Sequence, residues 1–269
     1  MTFNERLNSI RHTPVDIAIA AALVLLGLPL LLGLIAGGGA YLYFFKFSPP
    51  IAIPEPSGVN IARSSHIYAA DGTLLATLRG ANFRVPIDYE EMPSNLKRAV
   101  VASEDSRFFE HQGLDFAAII KALTESQVSG ERLRGASTIT QQYVGTVFVG
   151  KERSLTRKIR EAQIASQLER EVGKEQILER YLNTVYFGAG SYGIEAAANT
   201  FFGKSAKDLT LSESAQLVGQ IPAPSRYSPY TNPARAEARR LDVIGRMEQV
   251  GNITAQEAVE ARREKPVFQ

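Results

Sequence analysis

The sequence predicts a mainly α-helical domain carried behind an uncharged apolar segment and a short β-hairpin. Three observations lead there: Ile17–Phe45 runs for 29 residues without one charged side chain, Asp71-Gly72 sits between two short apolar runs, and helix-spaced apolar residues with capping signals begin at Ser94. With 269 residues, 45% of them hydrophobic, the chain can bury one sizeable core or two small ones. It contains no cysteine, which excludes disulfides, thiolate zinc sites, a cysteine nucleophile and a lipid-modified cysteine. Thirty basic against 28 acidic residues leave a net charge of only +2, so neither a general polyanion binder nor a nucleic-acid partner is expected.

Residues 17–45 are expected to form a transmembrane anchor, because about 20 apolar residues suffice to cross a bilayer as a helix. A cleaved signal peptide is the rival reading, since Ile35-Ala-Gly-Gly-Gly-Ala40 resembles a processing site. The apolar run, however, exceeds an h-region of about 7–15 residues and continues past those small residues. Arg6 and Arg11 before the span, with Lys46 after it, favour a cytoplasmic segment 1–16. The rest of the chain would then work on the extracytoplasmic side of the cell membrane. Residues 46–63 form a linker, stiffened by four prolines within Ser48–Pro56, and 64–269 form the working domain. There the Asp71-Gly72 turn predicts a hairpin, Ser94 is a candidate N-cap, and Thr210-Leu-Ser-Glu213 fits a capping box.

Four polar groups stand out within that domain. Glu104-Asp-Ser-Arg-Phe-Phe-Glu-His-Gln-Gly-Leu-Asp115 places two adjacent carboxylates beside aromatic residues, a histidine and a turn-forming glycine, a combination suited to proton transfer. Gly135-Ala-Ser-Thr-Ile-Thr-Gln-Gln142 leads from a small-residue turn into hydroxyls and amides that hydrogen-bond sugars or phosphates well, although an N-capped surface helix is its plainer reading in isolation. Arg157-Lys-Ile-Arg-Glu161 lies in an expected helix from about Leu155 to Val172. There Arg157 and Glu161 extend the stripe of Ile164, Leu168 and Val172 instead of opposing it, and charges in line with an apolar stripe need partners or a purpose. The fourth group, Lys174–Gly188, carries Ile177, Leu178, Tyr181, Leu182 and Val185 as a core face, leaving Lys174 and Asn183 as its polar contributors.

In this order and behind an anchor, the four groups closely resemble the peptidoglycan glycosyltransferase family found in class A penicillin-binding proteins and monofunctional transglycosylases. Glu104, Asp105, Phe108, His111 and Gly113 match the first motif; Gly135, Ser137, Thr138, Gln141 and Gln142 the second; Arg157, Lys158 and Glu161 the third; and Lys174, Ile177, Leu178, Tyr181, Leu182 and Asn183 the fourth. Arg239 with Val243-Ile244 resembles a fifth, where the family usually has Val-Leu. The likeness spans residues 64–262, including Arg84 and Tyr192–Ala198. It implies a lysozyme-like lobe with a small membrane-associated jaw. The substrates it implies are lipid II and a growing lipid-linked glycan strand, with undecaprenyl pyrophosphate as leaving group.

On that resemblance Glu104 is the candidate base for the acceptor hydroxyl, and Arg157 and Lys158 stabilise the departing pyrophosphate. Glu161 holds those cations or helps bind a divalent ion such as Mg2+ or Mn2+; no organic cofactor is expected. Asp105 and His111 orient Glu104 and its loop. Ser137, Thr138, Gln141, Gln142, Lys174 and Asn183 complete the substrate-binding set. Two departures qualify the likeness. The family's second motif continues Gln-Gln-x-x-Lys, whereas this chain has Gly145 at the lysine position, with Lys151 and Arg153 as candidate substitutes from the following loop. Losing one preorganised charge-stabilising donor commonly costs about 10²–10³ in rate, so slow turnover or a lipid II-binding scaffold is the alternative. The second departure is that the chain stops at Gln269, so no transpeptidase module is expected and a separate transpeptidase becomes a candidate partner. Ser94-Asn-Leu-Lys97 fits Ser-x-x-Lys but lacks the accompanying elements and reads as a helix start. A lysozyme-like glycan hydrolase is the more distant rival, since paired carboxylates also suit attack by water.

Overall fold

The computed structural model describes residues 27–28, 31–32, 35, 37–39 and 43 of the apolar run, and residues 65–78, 85–129, 137–149 and 154–269. The linker 46–63, most of the expected anchor, Arg84, Gly135, Lys151 and Arg153 lie outside the described residues. Two compact units result, Met1–Pro50 and Ile51–Gln269. In the first, residues 28, 31–32, 35 and 37–39 are helical, and Leu28, Leu31, Leu32 and Ile35 are exposed. Among the described residues no helix is long and apolar enough to cross a membrane.

The second unit is mainly helical. It opens with the expected hairpin, β1 (Ser65–Tyr68) antiparallel to β2 (Leu74–Leu78). Gly72 adopts φ +86° in the turn and Asp71 Oδ1 accepts the Thr73 N–H at 2.9 Å, the local bonding for which Asp-Gly is suited. Next comes α1 (Ser94–Glu104), whose N-cap is Pro93 and not Ser94. The proline carbonyl receives the N–H groups of Leu96 and Lys97 at 3.1 and 3.2 Å, so Ser94 is already the first helical residue.

Then follow α2 (Phe116–Ser129), α3 (Ile139–Val147), α4 (Leu155–Glu171) and α5 (Lys174–Leu182). A two-stranded ribbon, β3 (Tyr186–Gly188) with β4 (Ser191–Tyr192), precedes α6 (Ile194–Phe202), α7 (Leu211–Gln220), α8 (Pro233–Gln249) and α9 (Ala255–Arg263). Three of these helices start with a complete capping box: Thr138/Gln141, Thr210/Glu213 and Thr254/Glu257. Each box satisfies two otherwise orphaned donors at a helix start, so these boundaries are encoded locally.

The core joins α1, α3, α4, α5, α7 and α8 through Leu96, Val100, Ile139, Val144, Ile164, Leu168, Leu178, Leu217 and Ile244, all buried. Burying each such side chain contributes roughly 1.5–3 kcal/mol. On α5, Ile177, Leu178, Tyr181 and Leu182 form the expected buried face; Val185 packs on the same core from beyond the helix end. The helix α7 lies against both α1 and α8, and it buries Ser212, Ser214, Gln216 and Gln220 as well as its apolar residues. This central packing fixes the C-terminal end of α1, where Glu104 sits.

Candidate active site

Asp105 leaves the helical conformation directly after Glu104, ending α1. The loop that follows is drawn against α4 at Gly113, which has φ +89°. A Cβ there would fall 2.7 Å from the Ser166 backbone, so the approach requires glycine. Phe108 is fully buried beneath this loop, and Arg107 pairs with Asp115, which in turn accepts the Ala118 N–H at 2.8 Å at the start of α2.

Glu104 Oε2 receives the Gln142 side-chain N–H at 3.1 Å, and Gln142 Oε1 receives the Tyr181 hydroxyl at 2.9 Å. Burial pushes the Tyr181 phenol well above its ordinary range, so it stays protonated. As a donor to Oε1, it orients the Gln142 amide with its N–H toward Glu104. Burial also pushes the Glu104 carboxyl above the usual carboxylate range; the Gln142 hydrogen bond, Arg239 and Arg246 oppose that shift, and the neighbouring Asp105 adds to it. A carboxylate with raised proton affinity that still has a route to its charged form suits general-base work.

One turn along α3 from Gln142, Gly145 faces the second carboxylate. A Cβ on Gly145 would lie 3.2 Å from Glu161 Oε2 and 3.8 Å from Arg157 Nη1. The contact points of Glu104 and Glu161 on α3 are three residues apart, about 4.5 Å along the helix axis. Glu161 is buried, pairs with Arg157 at 2.9 Å and also holds Lys158, whose Nζ reaches Ser137 Oγ at 2.9 Å. Both of its oxygens are thus occupied by cations. Among the described residues no group of three or more His, Asp or Glu side chains comes together to hold a metal ion. A divalent ion on a substrate phosphate would need only one or two carboxylates, and Glu161 is the carboxylate at this place.

The remaining predicted residues divide by what they touch. Thr138 caps α3 and donates to the Gly113 carbonyl at 2.8 Å, and Gln141 closes the capping box, so both build the site's frame. His111 Nε2 lies 2.9 Å from Asp105 Oδ2. Lys174 Nζ sits 4.4 Å from the Phe108 ring centroid and 3.4 Å from His111 Nδ1. Asn183 is the outlier: its amide accepts the Ile87 N–H at 3.1 Å and donates to the Ile87 carbonyl at 2.8 Å, clamping a distant segment. Two groups escaped the sequence reading. Arg246 donates to the Ser103 carbonyl at 3.1 Å beside Glu104, and buried Glu169 pairs with Lys174 at 2.7 Å. Helical spacing carried a signal for both, since Glu169 follows Glu161 by eight residues and Arg239, Asp242 and Arg246 share one face of α8.

A cavity of about 420 Å³ opens behind the loop, between Tyr89, Lys97, Arg98, Arg107 and Phe109. Neither Glu104 nor Glu161 lines it, so it is separate from the carboxylate pair.

Residues 71–248 match the family model described as Transglycosylase. The chain belongs to the transglycosylase family. It is 40% identical to penicillin-binding protein 1A of Escherichia coli over 226 residues, covering 84% of this chain and 26% of the relative. To penicillin-binding protein 1F of Bacillus subtilis it is 41% identical over 199 residues, covering 74% of this chain and 28% of that protein. The chain therefore spans about a quarter of the length of these relatives. A crystal structure of penicillin-binding protein 1A from Haemophilus influenzae aligns with 78% of this chain and 22% of its own at 28% identity, with a TM-score of 0.48.

Proposed function

We propose that the chain is a membrane-anchored peptidoglycan glycosyltransferase that polymerises lipid II into glycan strands and releases undecaprenyl pyrophosphate, with Glu104 as general base. The observation that carries this reading is the single face of α3, which meets a carboxylate of raised proton affinity through Gln142 and a carboxylate–cation cluster beside Gly145. The acceptor hydroxyl of lipid II gives its proton to ionised Glu104 as its oxygen attacks the anomeric carbon of the growing strand. The bond from that carbon to the pyrophosphate oxygen breaks, and its electron pair leaves with the pyrophosphate. A single displacement of this kind turns an α-linked donor into a β-linked product. Charge building on the leaving group is met by Arg157 and Lys158, whose donors are already in place. Among the described residues Arg157 Nε is buried without an acceptor, as is Arg239 Nε near Glu104, which supports a role for both in meeting an anion. A hydrolase cleaving to a neutral leaving group has no use for this cluster. The uncharged run Ile17–Phe45 supports an anchor that keeps the domain at the membrane surface.

A weakened polymerase or a lipid II-binding scaffold is the second reading, and Gly145 favours it. A lysine there would emerge beside Glu161 and Arg157 and add a third cation to the cluster, which this chain does without. The deciding experiment is polymerisation of labelled lipid II by the purified full chain in detergent, with products resolved by length, beside Glu104→Gln and Gly145→Lys. Long strands from wild type that vanish in Glu104→Gln support the polymerase. Binding without product from wild type, with product from Gly145→Lys, supports the scaffold, and release of short soluble fragments from preformed strands would mark a hydrolase.

A further inference from the structure

Glu169, in the last turn of α4, is outside every motif that carries the resemblance, yet groups from three other segments converge on it. Its side chain is 1% exposed, a position where a carboxylate is costly unless paired. Lys174, at the start of α5, supplies the charge at 2.7 Å from Oε2. The Thr140 hydroxyl, on α3, donates to Oε1. His111 Nδ1, from the loop after α1, lies 3.9 Å from Oε2 and 3.4 Å from the Lys174 ammonium. The other face of the ring, Nε2, lies 2.9 Å from Asp105 Oδ2, so His111 bridges the two carboxylates. Asp105 completes the circuit by accepting the Ile139 N–H at 3.1 Å.

The two carboxylates therefore grip consecutive residues in the first turn of α3, Asp105 by the backbone of Ile139 and Glu169 by the hydroxyl of Thr140. That helix carries Gln142 two residues later, and a rigid turn transmits any displacement of its start to the Gln142 amide. We infer that Glu169 is a positioning residue, which through Thr140 and Lys174 holds α3 in the register that lets Gln142 donate to Glu104. This rests on the reading of Glu104 as the base only for its effect on rate. The geometric part concerns Glu104's surroundings, whatever the substrate. Those surroundings are Asp105 next to it, Arg239 and Arg246 from α8 with Asp242 between them, and the Tyr181 hydroxyl behind Gln142. None of these groups is altered by a change at position 140 or 169.

The test uses the full chain in detergent, labelled with 13C at glutamate carboxyls, with the Glu104 resonance assigned by its loss in Glu104→Gln. Thr140→Val, Glu169→Gln and Glu169→Ala are titrated beside wild type, and chain growth is measured on the same samples. Losing the Gln142 hydrogen bond raises the Glu104 midpoint, so Thr140→Val and Glu169→Ala should move it upward. The acidic limb of the rate profile should follow, and kcat should fall about 10- to 100-fold with KM changed far less. Glu169→Gln, which keeps an acceptor for Thr140, should lie between them and wild type. A Glu104 midpoint unchanged in Thr140→Val, which keeps both side-chain volume and the Glu169–Lys174 pair, would overturn the inference even if Glu169→Ala fails to fold. Should wild type make no glycan at all, the polymerase reading fails, while the titration still decides the role of Glu169.

Discussion

Arg239 and Arg240 are consecutive residues on α8 with opposite tasks. A helix turns about 100° per residue, which sends the two guanidinium groups to different faces. Arg240 is wholly buried and fully used: Nε and Nη2 donate to Glu237 at 2.8 Å, and Nη1 donates to Ser212 Oγ at 2.6 Å and to the Ala261 carbonyl at 2.7 Å. Arg239 acts on Glu104, pairs with Asp242, packs against Tyr227 and, among the described residues, leaves its buried Nε without an acceptor. Arg157 repeats that pattern beside Glu161, with Nη1 bonded and, among the described residues, no acceptor for Nε. A buried donor without a partner costs about 1–3 kcal/mol, so the incomplete bonding of Arg157 and Arg239 among the described residues, beside a fully used Arg240, supports the proposal that these two meet an anion while Arg240 holds the fold.

The widest split should come from Glu104→Gln. Removing a general base costs about 10²–10⁴ in rate, while stability should hold or rise at neutral pH. The folded state binds the Glu104 proton more tightly than the unfolded chain does, so stability is lost as pH rises through the carboxylate range and the neutral glutamine escapes that loss. A thermal midpoint that falls in Glu104→Gln would mean that the carboxylate is structural. Arg240→Ala should give the mirror image. Removing the buried guanidinium leaves the Ser212 hydroxyl and the Ala261 carbonyl without their donor, at about 1–3 kcal/mol each, a drop of roughly 10 °C in a domain of this size, with unchanged activity per folded molecule. Rates measured below the new midpoint and corrected for the folded fraction test it, and a specific loss of activity would erase the contrast between the two arginines.

Features fixed by local spacing were legible in the sequence. The Asp71-Gly72 hairpin, the Thr210/Glu213 box and the inward face of α4 through Glu161, Ile164 and Leu168 all follow from neighbours within about one or two turns. Features set by distant partners were not. Asn183 looked like a substrate residue, but its amide meets Ile87, 96 residues earlier in the chain. The burial of Ser212, Ser214, Gln216 and Gln220 depends on α7 being covered by both α1 and α8, which no pattern within α7 encodes. Helical spacing marks Glu169 and Arg246, but their partners come beside them only when α3, α5 and the end of α1 are brought together.

Gly145→Lys sharpens the same comparison by adding charge to the incomplete side. Its Cβ would approach Glu161 Oε2 to 3.2 Å, which a small rotation of that side chain relieves, so the fold should tolerate it. Restoring one preorganised cation at a leaving group is worth up to about 10²–10³ in rate. Steady-state chain growth of the variant against wild type measures that gain. Equal rates would mean that the Arg157–Lys158 pair already suffices.

The smallest effect belongs to the complete side. The Arg240 hydrogen bonds, then Lys265, lower the Glu237 carboxyl to about 2 from 4.5. A depressed folded pKa adds stability that is fully present above pH 4.5 and is lost as pH falls toward about 2. With its side chain 34% exposed, solvent screening limits the effect to about 1 kcal/mol. Thermal midpoints of Glu237→Gln should therefore sit slightly below wild type at neutral pH and converge with it as the pH approaches 2. A gap that persisted there would mean that Glu237 serves Arg240 as a neutral acceptor, and that the fully paired arginine depends on hydrogen-bond geometry more than on charge.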